Sequence, residues 1–114
     1  MKIGYSLVAM AGLFVTLSAH AGHSTGTVGQ LVVGRMDTQV FIELQSDTYT
    51  SWPCASTHPS GFRYAFLLGT EKAKAMLSVV LTAQATGQHL QVVGTGSCTI
   101  DSTMENVDYV VLRP

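Results

Sequence analysis

Over Gln39 to Gln45 apolar and polar residues alternate with a period of two, Val40, Ile42 and Leu44 against Phe41 and Glu43, which predicts a half-buried strand. Val28 to Met36 is rich in valine and leucine and predicts another strand. The two residues between them, Asp37 and Thr38, are short enough for a tight antiparallel turn, so the strands are expected to pair as a hairpin. Phe62 to Leu68 alternates again, with Phe62, Tyr64, Phe66 and Leu68 on one face and Arg63, Ala65 and Leu67 on the other. Over Thr70 to Gly87 the period changes. Ala73, Met76, Leu77, Val80, Leu81 and Gln84 recur at i, i+3, i+4 and i+7, with Lys72, Ser78 and Thr82 turned away, and the pattern predicts a helix. Thr70 suits its N-cap, Glu71 the positive end of its dipole, and Gly87 the left-handed residue after its last turn. Two strands follow, His89 to Gly94 with Leu90 and Val92 inward, and Asn106 to Arg113 with Val107, Tyr109 and Val111 inward. Polar Gly22 to Thr27 is expected to be a loose lead-in unless it pairs with a partner chain. Ser46 to Gly61 holds two of the three prolines, the only tryptophan and Cys54, and reads as a long loop or a broken strand.

The resulting order, β-β-β-α-β-β, predicts a mainly β fold with one helix. A single helix between the third and fourth of five strands is the element order of the five-stranded oligonucleotide/oligosaccharide-binding (OB) barrel, and an open sheet with the helix across one face gives the same string. The barrel is favoured because closure protects edge strands that carry few charges.

Residues 1–21 read as a secretory signal peptide. Lys2 supplies a positive end, Ile3 to Leu17 an apolar run interrupted by Ser6 and Thr16, and Ala19 and Ala21 fit a cleavage site before Gly22. The run falls short of the roughly 20 apolar residues a bilayer needs, so no membrane span is expected after cleavage. Residue 22 is not cysteine, which leaves no anchor point for a lipid. The expected product is a single soluble domain, residues 22–114, exported to the periplasm or beyond the cell.

Export changes what the two cysteines mean. In an oxidising compartment Cys54 and Cys98 are expected to pair, and closing a loop of about 45 residues stabilises by roughly 3 to 4 kcal/mol in the chain-entropy account. The exported part carries five basic residues (Arg35, Arg63, Lys72, Lys74, Arg113) against seven acidic ones (Asp37, Glu43, Asp47, Glu71, Asp101, Glu105, Asp108), a net charge of −2. With no basic stripe there is no electrostatic footprint for nucleic acid. His23, His58 and His89 are not spaced as ligands on one element, so neither a metal nor another cofactor is expected. His58 reads as a solvated loop histidine, and no nucleophile-elbow motif surrounds any serine, which argues against an enzyme. Gly94-Thr95-Gly96-Ser97 precedes a strand rather than a helix and is expected to be a bend beside Cys98, not a phosphate cradle.

Binding chemistry concentrates in Tyr49, Thr50, Ser51 and Trp52. Rings that stack on the apolar face of a sugar sit there beside hydroxyls that bond its rim, and Arg63 or Glu43 adds a charged contact. Equally consistent with the sequence is a packed Trp52 that covers the disulfide and the barrel end. The outer helix face, with Lys72, Ala75, Val79 and Thr82, carries one charge and suits packing against other copies.

Leu31-Val32-Val33-Gly34-Arg35-Met36-Asp37-Thr38 followed by Phe41-Ile42, together with Ala83-Gln84-Ala85-Thr86-Gly87-Gln88 running into a strand, resembles the B subunits of subtilase cytotoxin and of typhoid-toxin-like toxins. The chain is also similar to small exported bacterial proteins of unknown function that share a Phe62-Arg63-Tyr64-Ala65-Phe66 strand, an Ala75-Met76-Leu77-Ser78 helix and a Gly94-Thr95-Gly96-Ser97-Cys98 turn. The toxin resemblance implies a pentameric OB-fold ring, its channel lined by helices, that binds sialylated glycans and delivers a separate catalytic chain. Where that family has Tyr-Tyr-Ser-Asp, this chain has His23-Ser24-Thr25-Gly26, so Ser24 is the one glycan contact carried over. The function expected is thus an exported, non-catalytic glycan-binding or protein-binding homo-oligomer. The alternative is a monomeric periplasmic accessory protein that docks a partner through a strand edge or the Tyr49 to Trp52 loop.

Overall fold

A computed structural model of the chain describes residues 21–49 and 52–114. The expected cleavage segment before Ala21 lies outside the described residues. Five strands and one helix follow in the predicted order: β1 (His23–Val33), β2 (Gln39–Tyr49), β3 (Tyr64–Leu67), α1 (Glu71–Thr86), β4 (His89–Gly94) and β5 (Glu105–Arg113). Hydrogen bonding runs β1-β2-β3-β5-β4 and returns to β1, a closed barrel. All pairings are antiparallel except the short parallel one of β3 with β5, which joins Tyr64 to Glu105 and Ala65 to Asn106. This is the OB-type barrel. Among the described residues each strand has two neighbours, although β1 meets β4 only over His23 to Gly26 and β3 meets β5 only at Tyr64 and Ala65.

Closure depends on the segment expected to be loose. His23 to Gly26 pairs with Leu90 to Val93 of β4 while Ser24 and Thr25 also pair with β2. Its polarity conceals this, because the inward positions there are Ser24 and Gly26 rather than large apolar side chains. The β1–β2 connection is longer than expected. Gly34 at φ 81° and Asp37 at φ 70° turn the chain, and the Gly34 amide donates to the Gln39 carbonyl at 2.8 Å. β1 therefore stops at Val33 instead of running to Met36.

Val40, Ile42, Tyr64, Leu90, Val92 and Val80 are wholly inaccessible and form the centre of the core. The helix buries Ala73, Met76, Val80 and Ala83, with Leu77 and Val79 packed beside them. Its stripe is thus rotated from the expected one. Leu81 and Gln84, predicted inward, face outward, and Val79, predicted outward, touches the core. Gln84 Nε2 instead donates to the Gly29 carbonyl at 2.8 Å, fastening the helix to a bulge in β1. Both predicted caps are present: Thr70 accepts from the Ala73 amide at 3.1 Å, and Gly87 at φ 73° donates to the Ala83 carbonyl at 2.9 Å. Thr70→Ala is expected to cost about 1 kcal/mol in urea denaturation.

A satellite cluster sits on the other side of β2 and β3, where Phe41 and Ala65 lie under Phe62, Met104, Val32 and Ile100. Phe62 was expected on the face of Tyr64 and Phe66. It belongs to this outer cluster because the strand begins only at Tyr64.

Candidate functional site

The outer cluster holds down the irregular loop that carries the binding candidates. Gly61 at φ 85° reverses the chain and donates to the His58 carbonyl at 3.0 Å, and the Ser60 amide donates to His58 Nδ1 at 3.1 Å. The His58 ring meets Phe62 edge-on at 5.6 Å between centroids, and Phe62 meets Phe41 at 6.2 Å. Cys54 and Cys98 form the expected disulfide, with 5.8 Å between their Cα atoms, and bind this loop to the β4–β5 connection.

On that support Trp52 and Arg63 come together. The guanidinium carbon of Arg63 lies 5.8 Å from the centre of the half-buried indole, a cation–π arrangement, and Trp52 Nε1 donates to the Ser56 carbonyl at 3.2 Å. Arg63 is fixed from below. Its amide donates to the Ile42 carbonyl at 3.1 Å, and its own carbonyl accepts from the Glu105 amide at 2.9 Å, so its backbone is clamped between β2 and β5. An aromatic face and a permanent cation with planar N–H donors, on a rigid base, can together hold the apolar face and a polar or anionic group of one ligand.

The other predicted residues are placed differently. Glu43 is half-buried, its Oε1 accepts from the Gln30 amide at 2.9 Å, and its Oε2 lies against Gly61, two residues before Arg63. It steadies the β1 bulge at Gly29 and Gln30. Ser24, expected as a glycan contact, is instead fully buried, and its hydroxyl shares a 2.6 Å hydrogen bond with the Tyr64 hydroxyl inside the barrel, so it is not displayed to a ligand. Tyr49 contributes its backbone as the last residue of β2, paired with Ser24, and Ser51 lies outside the described residues. Among the described residues no group of three or more histidine, cysteine, aspartate or glutamate side chains gathers around one point.

Two features had no signal in the sequence pattern. One is a groove of about 330 Å³ between the first turns of α1, β3 and the β4–β5 connection, with Phe66, Met76 and Val107 as apolar lining and Thr70, Lys72 and Thr95 at polar positions. The connection beside it is shaped by Asn106, whose Oδ1 accepts from the amides of Thr99 and Ile100 at 3.2 and 3.3 Å. Its lining comes from residues 66 to 107, which periodicity within single elements does not connect.

The other feature is Glu105, an inaccessible carboxylate on the inner face of β5. Its Oε2 accepts from the amides of Gly22 at 3.0 Å and Gly96 at 2.8 Å, and burial pushes its pKa up. The Gly94-Thr95-Gly96 bend therefore does supply an amide, that of Gly96, to a carboxyl group, the protein's own. The acid was hidden because β5 was expected to start one residue later.

Asp101 is the opposite case. Hydrogen bonds from the Thr103 hydroxyl and the Thr103 amide hold its carboxyl below the ordinary value of 3.8. A depressed folded-state pKa contributes stability that is present above the unfolded value and lost as pH falls through the folded one. Thr103→Val is accordingly expected to flatten the acid-side loss of stability below about pH 4, measured by urea denaturation at pH 5 and pH 3.

The fold and the stack define a small OB-type barrel with a disulfide-tethered aromatic loop. Comparison with protein-family models, with curated proteins and with solved structures gives no match.

Proposed function

We propose that this chain is an exported, non-catalytic binding protein whose ligand is a glycan, held at the Trp52–Arg63 stack. One observation carries the reading: a half-buried indole and a guanidinium lie against each other on a base locked by strand hydrogen bonds and a disulfide. Aromatic faces stack on sugar C–H groups, and the cation suits an acidic sugar such as a sialic acid. The disulfide agrees with an oxidising destination, and among the described residues no helix is long and apolar enough to cross a membrane. The resemblance to toxin B subunits adds a homo-oligomeric ring, a pentamer, that presents several shallow sites to a glycosylated surface and gains strength by multivalency. The outward helix residues Ala75, Ser78, Leu81, Thr82 and Ala85 are uncharged and suit helix packing around the ring axis.

A panel of sialylated and neutral glycans tests this. Binding of a sialylated member is expected, with Trp52→Ala and Arg63→Gln each weakening it about five- to thirtyfold, the loss of about 1–2 kcal/mol that a stacking ring or a charged contact supplies. No binding to any member, combined with monomeric behaviour in native mass spectrometry, overturns the proposal.

A monomeric accessory protein is the second reading, favoured by one observation. Val33, Met36 and Leu67 are 49%, 63% and 47% exposed. Leu67 pairs with Gln39, and the Leu68 amide donates to the Thr38 carbonyl, so all three sit around the β1–β2 turn as an apolar surface for a partner protein. Met36→Glu abolishing co-purification of a specific periplasmic partner supports this reading and leaves glycan binding untouched.

A further inference from the structure

We propose that the Ala21–Gly22 bond is the maturation site and that the α-ammonium group freed on Gly22 becomes the counter-ion of Glu105. The inference rests on the export reading and is independent of the ligand. Glu105 is fully buried, and its Oε1 has no hydrogen-bond partner among the described residues. Its Oε2 is served by two neutral amides, those of Gly22 and Gly96. The ion pairs Lys72–Asp108 and Lys74–Glu71 lie on exposed side chains and leave Glu105 out. A carboxylate is seldom buried without a cation, because taking its charge out of water costs more than neutral donors return.

An atom able to supply that cation is already in place. Gly22 is buried while Ala21, immediately before it, is exposed to solvent. The nitrogen that touches Oε2 at 3.0 Å is the one that hydrolysis of the Ala21–Gly22 bond converts from amide to amine. In that step water adds across the amide, Ala21 leaves with the new carboxylate, and the Gly22 nitrogen takes up protons to become an ammonium group near neutral pH. It then offers three N–H donors where the amide offers one, enough to serve Oε2 and reach Oε1. The Gly22 carbonyl meanwhile accepts from the Gly94 amide at 2.9 Å, which keeps the new terminus in register beside β4.

Two independent features therefore converge on one bond. The small residues Ala19 and Ala21 mark it in the sequence, and a buried acid waits at the atom it releases. Before cleavage Glu105 faces a neutral amide, and afterwards a charge. Maturation thus strengthens the barrel at the point where β1 closes it.

The test compares mature protein purified from the periplasm with a chain that begins at Ala21, each with Glu105 and with Glu105→Gln. The mature protein is expected to melt roughly 10 °C higher than the Ala21 chain, and this difference is expected to collapse in Glu105→Gln. Equal melting temperatures with Glu105 present, or a difference that persists in Glu105→Gln, overturns the pairing. Should Glu105→Gln not fold, labelling of the Gly22 amine in the native mature protein decides. Ion pairing that raises its pKa by one unit slows an amine-reactive reagent about tenfold relative to the urea-unfolded chain, and labelling at the unfolded rate overturns the pairing. A mature N-terminus other than Gly22 overturns the maturation site itself, whether or not glycans bind.

Discussion

Replacing Cys54 and Cys98 together with serine is expected to lower the unfolding free energy by roughly 4 kcal/mol. The bridge spans 44 residues of sequence, and the chain-entropy account assigns a loop of that size about this stabilisation, because the reduced chain regains its freedom in the unfolded state. For a domain under 100 residues that is a large share of the total, and the melting temperature is expected to fall by roughly 15 °C or more. The consequence reaches the site. Cys54 lies two residues from Trp52, so loosening it also frees the loop that holds the indole against Arg63, and near-ultraviolet circular dichroism of the single tryptophan is expected to weaken before the barrel melts. A double-serine variant that melts within about 2 °C of the native protein would show that the outer cluster of Phe41, Phe62 and Met104 fastens the loop without the bridge.

Gly94→Ala is expected to be nearly as damaging, although it adds one methyl group. A Cβ on Gly94 would overlap the carboxyl of Glu105, which has Gly96 and Gly22 on its other sides. Overpacking alone costs about 1–3 kcal/mol, and pushing the carboxylate off its two amide donors adds the cost of an unsatisfied buried charge, for about 3 kcal/mol or more in total. The mechanism has a signature. Glu105→Ala removes the obstructing carboxyl, so the double variant is expected to be more stable than the sum of the single losses allows, a coupling read from urea denaturation of all four proteins. Additive losses would place the damage in the backbone of Gly94 instead.

What the sequence pattern made legible follows from where the period runs unbroken. Val40, Ile42, Leu44, Leu90 and Val92 alternate without interruption, and all are buried as expected. Tyr109 shows the opposite outcome: it was expected inward and is 48% exposed. A register shift between Val93 and Gly94 inserts an extra residue opposite β4, so the inward set of β5 passes from Glu105 and Val107 to Val110 and Leu112. A one-residue slip flips every later side chain, and no property of Tyr109 itself announces it. In β1 a bulge after Val28 has the same effect, which puts Leu31 against the core and Val32 against the outer cluster. Polar interior positions defeat the pattern differently. Ser24 is inward because Tyr64 provides its hydrogen bond from across the barrel, information that lies 40 residues away.

The site was legible in residue type but not in geometry. Trp52 and Arg63 stood out as an aromatic and a cation in and beside an irregular segment, and their stacking depends on how Gly61, His58 and the disulfide fold that segment back. Glu43 was expected as a charged ligand contact and instead accepts a backbone hydrogen bond at a bulge that alternation does not reveal. The groove beside α1 needed the barrel to be closed before its walls existed.

Native mass spectrometry of the disulfide-bonded mature protein, titrated with sialylated oligosaccharides, tests whether the Trp52–Arg63 stack is a glycan site. Saturable one-to-one adducts per protomer are expected on the native protein and are expected to be lost in Trp52→Ala. Adducts of equal abundance on both proteins, or none on the native protein with any member of the panel, would contradict it.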